Sequence, residues 1–308
     1  MQKLYTLLFF VIVSMNQLVA QEIFPLYQDK IPNSKPASNE EKTEERNDMT
    51  IVSKISIPTL QYYPAPGQER ASAVIIFPGG GYSINAIRHE GYDVARKFND
   101  IGISAFVVKY RIPDDRTMGN KTIGPLQDAQ QAIKTVREQA AKFKIDPDRV
   151  GIMGFSAGGH LASTAGTHFK ETHISNDKKT SLRPDFMILV YPVISFQDDI
   201  GHRGSRNNLL GDDPTPEAVN SYSNELQVTK QTPPTFLIHA GDDKTVPVAN
   251  SIKFYESLIK NNVPAELHIY QEGGHGFGLN NKTTNEDWFM TCKHWLESNG
   301  WLKGKTSK

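Results

Sequence analysis

Short apolar runs at 73–77, 103–110, 149–154, 186–191, 235–240 and 265–270 alternate with amphipathic stretches at 91–100, 123–142, 157–167, 247–261 and 285–298. The runs are continuous rather than alternating, as strands buried on both faces should be. Strand and helix in alternation predict an α/β fold, a mostly parallel sheet covered by helices on both faces. In such sheets, sites gather at the carboxyl ends of the strands. Residues 51–57 alternate like an edge strand, and 195–230, rich in Asn, Asp, Gly and Pro, form the one long departure. Connections of that length in a compact domain are usually functional. No internal repeat or mid-chain linker interrupts the pattern, which predicts one domain over 51–308. The Pro-, Asn- and Glu-rich segment 21–50 is expected to be a flexible, solvated arm.

The first twenty residues read as a cleavable secretory signal: Lys3, an apolar run over 4–13, and a small residue, Ala20, before Gln21. That run is shorter than the ~20 residues needed to cross a bilayer. The expectation is therefore a bacterial periplasmic or secreted protein with no membrane association after cleavage. Cys292 is the only cysteine, so neither an intramolecular disulfide nor a thiolate metal site is available. Lys and Arg number 34 against 34 Asp and Glu, a balance that argues against nucleic acid as a partner.

Gly154-Phe155-Ser156-Ala157-Gly158 follows one apolar run and opens one helical stretch. A strand-to-helix turn that tight needs small residues beside a nucleophile lifted above the sheet, which marks Ser156. A serine hydroxyl needs a base, and the base needs a carboxylate to hold it. Asp242 and Asp243 follow the run ending at Ala240, and His275 lies in a glycine-rich segment after the last run. Of the nine histidines, only His275 combines that order with a loop position; His160 and His239 are expected to be structural. Pro78-Gly79-Gly80-Gly81-Tyr82 follows the run 73–77, where a loop can offer N–H donors to an oxyanion. Gly80 and Gly81, joined by Ala157, are the expected donors. No phosphate-cradle pattern accompanies these glycines.

Taken together, Pro78-Gly79-Gly80-Gly81-Tyr82, Gly154-Phe155-Ser156-Ala157-Gly158-Gly159-His160, Asp242-Asp243-Lys244-Thr245-Val246-Pro247 and Gly273-Gly274-His275-Gly276-Phe277 resemble the α/β-hydrolase superfamily. More narrowly, the set is similar to secreted bacterial carbohydrate esterases of the acetylxylan-esterase type, over nearly the whole chain after Thr50. The resemblance implies the α/β-hydrolase fold, with a short polar insertion, 195–230, after the sixth strand. It also implies a triad of Ser156, Asp243 and His275, the two-residue spacing before Val-Pro selecting Asp243 over Asp242. Phe77-Pro78 departs from the His that precedes the glycines in hormone-sensitive-lipase-like esterases and favours the Pro-Gly-Gly-Gly-Tyr branch. The implied activity is deacetylation of plant or algal polysaccharide fragments, with an acetylated carbohydrate as partner and no cofactor or metal. Tyr82, His202, Arg206 and Asn207 are the candidate sugar-binding residues.

Three rival readings are a serine peptidase of the prolyl-oligopeptidase type, a feruloyl-type esterase and a non-catalytic binder on the same fold. The first shares the Asp-x-x-Val-Pro pattern but usually carries a large extra domain. A dienelactone-type hydrolase would place Cys where this chain has Ser156, and a lipase would want an apolar flap where 195–230 is polar.

Overall fold

A computed structural model describes residues 21–46, 49–67 and 70–302; the expected leader, 1–20, lies outside them. In chain order the strands are β1 (Glu22–Pro25), β2 (Lys42–Arg46), β3 (Met49–Ser53), β4 (Thr59–Tyr63), β5 (Ala71–Phe77), β6 (Ile84–Asn85), β7 (Ser104–Lys109), β8 (Ile145–Phe155), β9 (Met187–Val190), β10 (Thr235–Ala240) and β11 (Ala265–Tyr270). The helices are α1 (Asp93–Asp100), α2 (Gly124–Glu138), α3 (Ala140–Phe143), α4 (Ser156–Thr167), α5 (Arg203–Leu210), α6 (Pro216–Ser221), α7 (Ala249–Lys260) and α8 (Trp288–Ser298).

The main sheet runs β1-β4-β7-β5-β8-β9-β10-β11, with β2, β3 and β6 in a second, small sheet. Pairing from β7 to β11 is parallel, and β1 and β4 join antiparallel at one edge. β5 is buried along its whole length, as a run of Ala, Val, Ile and Phe between two other strands should be. Met187 on β9 meets Gly166 of α4, whereas Phe236, in register with Ile188, packs on Trp295 of α8. Successive strand residues point to opposite faces, so α4 and α8 cover opposite sides of the sheet. This is the α/β-hydrolase architecture. The polar insertion does follow the sixth strand of the main sheet, β9.

Three expectations need correction. The segment 21–50 is not a free arm. β1 completes the main sheet on β4, β2 pairs with β3, Leu26 is buried and the Phe24 ring packs on Phe143. A few anchoring residues among many polar ones carry the docking, and average composition hides them. The strand read over 51–57 ends at Ser53, before Lys54 turns the chain at φ 53°, and it belongs to the small sheet. The insertion is also not all loop: His202 caps α5 by accepting from the Ser205 N–H, and Thr215 caps α6 from Ala218.

A buried ion pair ties the segment 21–50 to the core. The Arg111 guanidinium faces Asp128 at 2.8 Å, both almost inaccessible, and donates to the Pro32 carbonyl while Tyr27 donates its hydroxyl to Asp128. Removing one member of such a pair strands the other. Arg111→Met is therefore expected to cost about 3–5 kcal/mol in denaturant unfolding, and Arg111→Met/Asp128→Leu less than the single change. A double variant as unstable as Arg111→Met would contradict this reading.

Candidate active site

The carboxyl ends of four parallel strands converge. β5 delivers the glycine loop, β8 runs into Ser156 at the start of α4, and the turns after β10 and β11 carry Asp243 and His275. Ser156 has φ 51°, a left-handed conformation that costs an L-residue on the order of 1–2 kcal/mol. The turn is possible because Gly154 and Gly158 lack side chains. A Cβ on Gly154 would strike the Gly158 carbonyl, and one on Gly158 would strike the Phe77 carbonyl. The same close approach sets Ser156 against the glycine loop.

His275 Nε2 lies 2.8 Å from Ser156 Oγ, and His275 Nδ1 lies 2.6 Å from Asp243 Oδ2. A carboxylate only accepts, so Nδ1 carries the proton and Nε2 is left to accept from the serine hydroxyl. Asp243 Oδ1 accepts the Thr245 and Val246 N–H groups at 2.9 Å each. Oδ2 also faces His239 Nε2 at 3.2 Å. Burial alone would raise this carboxyl. The bonds from His239 and His275, the His275 charge and the Val246 N–H outweigh it and hold it well below the ordinary carboxylate range. The sign follows: its contribution to stability is present above its unfolded value of about 4 and is lost as pH falls through the depressed folded value. Asp242 plays a different part, its Oδ1 accepting the Gly274 N–H at 2.8 Å.

The glycine loop is pinned by its carbonyls. Gly79 O accepts from Ala86 N, and Gly80 O accepts from Ser83 N, Ile84 N and Ser83 Oγ. Gly81 O accepts from Asn208 Nδ2 at 2.7 Å. In a planar trans peptide the N–H points opposite to its carbonyl, so the N–H groups of Gly80, Gly81 and Tyr82 have set directions. Among the described residues, those of Gly80 and Gly81 donate to nothing. Gly80 adopts φ 133°, and a Cβ there would run into the Ile84 carbonyl. Ala157 N–H belongs to the first turn of α4, where amides lack an intrahelical acceptor and the helix dipole is positive. Such an arrangement can activate a hydroxyl, accept its proton and stabilise a developing oxyanion.

The expected sugar-binding residues are placed differently. Tyr82 is 2% exposed, and its hydroxyl donates to His160 Nδ1 at 2.9 Å, so it supports the loop from inside. His160 is a wholly buried core residue, its value lowered to about 3 by burial. Arg206 bonds Asp198 and the Phe196 carbonyl, and Asn207 bonds Asp212. Neither makes a hydrogen bond to the glycine loop or the Ser-His-Asp set among the described residues. Successive helical residues are 100° apart, and on α5 it is Asn208 that meets the loop. His202 Nδ1 is taken up within α5, facing Ser205 Oγ at 2.8 Å and accepting the Ser205 N–H at 3.2 Å; burial lowers its value, the His275 charge lowers it further and Asp243 opposes both. Sequence reading also missed the buried Glu90 and Tyr191 beneath the loops. No local motif marks either.

A family model described as BD-FAE matches residues 61–258, and one for the dienelactone hydrolase family matches 216–305. The first span holds Ser156 and Asp243, the second Asp243 and His275 but not the serine turn. An acetylxylan esterase of Xylanibacter ruminicola is 39% identical over 77% of this chain and 46% of its own length. Endo-1,4-beta-xylanase B of Butyrivibrio fibrisolvens is 35% identical over 75% of this chain and 36% of its length. The chain thus spans less than half of these curated relatives. The crystal structure of an acetyl ester-xyloside bifunctional hydrolase from Caldicellulosiruptor lactoaceticus superposes with a TM-score of 0.80 at 41% identity, covering 91% of this chain and 97% of that one.

Proposed function

This chain belongs to the BD-FAE family of the α/β-hydrolase superfamily, and on that premise we propose that it is a serine carboxylesterase that removes acetyl groups from plant or algal polysaccharide fragments. The observation that carries the reading is the continuous contact from Ser156 Oγ through His275 to Asp243. The acetylxylan esterase and the acetyl ester-xyloside hydrolase among its relatives support the substrate class.

In the proposed reaction Ser156 Oγ attacks the acetyl carbonyl as its proton passes to His275 Nε2, with Asp243 holding the imidazole and steadying the imidazolium. Gly80, Gly81 and Ala157 N–H groups receive the oxyanion. His275 returns the proton to the departing sugar oxygen, leaving an acetyl-enzyme. Water, deprotonated by His275, then releases acetate and restores Ser156. Neither nucleic acid nor membrane is a partner in this reading, and export to the periplasm or medium rests on the leader-like sequence at 1–20.

The short loops around the site favour a small acyl group. Residues 78–83 fold back on Gly80 O, and α5 of the polar insertion holds Gly81 O from above. A small acyl site would lose binding with each methylene that does not fit. kcat/KM is expected to be highest for acetyl esters and roughly tenfold or more lower for octanoyl esters. A preference for octanoyl over acetyl in a panel of model esters would reject the small pocket.

A further inference from the structure

We propose that Glu90 and Tyr191 are positioning residues that lock the oxyanion loop to the histidine loop. The proposal rests on the esterase reading above and deepens it. Glu90 lies in a single π-turn, Arg88–Tyr92, and is 4% exposed. A buried carboxylate is costly unless its oxygens are satisfied, and both are. Oε2 accepts the Gly79 N–H at 2.8 Å, and Oε1 accepts the Tyr191 hydroxyl at 2.7 Å. That hydroxyl in turn accepts the Gly278 N–H at 2.9 Å.

The direction of this chain follows from its ends. Backbone N–H groups stand at both termini and can only donate, so the phenol must give its proton to the carboxylate and take one bond from Gly278. Gly79 opens the oxyanion loop, and Gly278 lies three residues beyond His275. Two loops that leave β5 and β11, strands not adjacent in the sheet, are thereby tied through one carboxylate and one phenol.

Each end is held from a second side as well. The Pro78 carbonyl, in the same peptide as the Gly79 N–H, accepts the Tyr110 hydroxyl at 2.8 Å, and the Gly278 carbonyl accepts Trp288 Nε1–H at 3.0 Å. Glu90 is also close to the chemistry: a Cβ on Gly79 would stand 2.6 Å from Glu90 Oε2 and 3.0 Å from Ser156 Cβ. The Tyr191 ring meets His275 edge-on, with centroids 5.0 Å apart. Tyr191 holds φ 36° while its N–H donates to Ile238 O at 2.7 Å. Strain of this kind persists where the surroundings over-determine it, and it collects at functional sites.

Glu90→Gln keeps the shape but offers an amide N–H₂ to one of the two donors. Tyr191→Phe keeps the ring against His275 and removes the link. A misplacement of about 1 Å among reacting groups can cost on the order of 100-fold. Each variant is therefore expected to lower kcat on an acetyl model ester by roughly 10–100-fold, with KM within about threefold of wild type. Because both changes break the same chain, the double variant should fall little below the worse single one. The experiment measures kcat and KM for wild type, both single variants and the double variant, with Tm recorded for each. Single variants with kcat within about threefold of wild type, or losses that multiply in the double variant, would overturn the proposal while leaving the esterase reading intact. A wild type without turnover of any acetyl ester would overturn both. Should Glu90→Gln fail to fold, Tyr191→Phe decides alone.

Discussion

Ser156→Ala and His275→Ala are each expected to lower kcat by roughly 10⁴–10⁶-fold, and together hardly further. The reason is that in the proposed reaction the two side chains share one proton transfer. Ser156 Oγ and His275 Nε2 are 2.8 Å apart, and an alcohol without its base is as inert as a base without its alcohol. Folding should survive both changes. Ser156 contributes a small hydroxyl, while its backbone carbonyl, which accepts from Val193 N, is untouched by the substitution. Residual turnover should reflect the oxyanion donors and substrate binding alone. Tm values near wild type with activity lost would fit; multiplicative losses in the double variant would show that the two residues do not act as one unit.

Asp243→Asn is expected to lower kcat by about 10⁴-fold, and Asp242→Asn by less than about threefold. In the wild type, Asp243 Oδ2 accepts the His275 Nδ1 proton, and Oδ1 is committed to the Thr245 and Val246 N–H groups. An amide oxygen can keep those backbone bonds, but its N–H₂ then faces His275. The imidazole must turn to the tautomer with its proton on Nε2, where it cannot accept from Ser156. Asp242 needs only one oxygen to hold Gly274 N–H, which Asn also supplies. If Asp242→Asn were the inactive variant and Asp243→Asn the active one, the assignment of the acid would be wrong.

What the sequence disclosed about this chain depended on how local the cause was. β10 was legible to the residue because a buried, largely apolar run ends in a turn-forming segment. β11 was placed to the residue too, although AELHIY alternates and lies half-buried at the edge of the sheet rather than covered on both faces. The serine turn was legible because its steric demand falls on neighbours within two residues. β4 was not, since Thr59–Tyr63 carries Gln61 and Tyr residues and is recognisable only by its pairing with β1 and β7. α5, with the polar sequence RGSRNNLL, depends on the His202 cap and on burial of Leu209. Glu90 and Tyr191, 101 positions apart, meet only in the folded chain. Among the substrate-binding expectations that separation applies to Tyr82, 78 positions from His160; Arg206 and Asn207 find partners only 8 and 5 positions away, across turns that polar composition alone does not specify. Tyr82, Arg206 and Asn207 looked like polar rim residues, yet their partners, His160, Asp198 and Asp212, were visible only in three dimensions.

The central claim is that Ser156 deacetylates carbohydrate. The measurement that tests it most directly is acetate release from acetylated xylo-oligosaccharides by wild type and Ser156→Ala, with labelling of Ser156 by a serine-directed phosphonate followed in parallel. The account predicts acetate release by wild type, none above background by Ser156→Ala, and loss of activity in proportion to Ser156 labelled. Labelling of Ser156 with no acetate released from acetylated oligosaccharides, or release undiminished in Ser156→Ala, would contradict it.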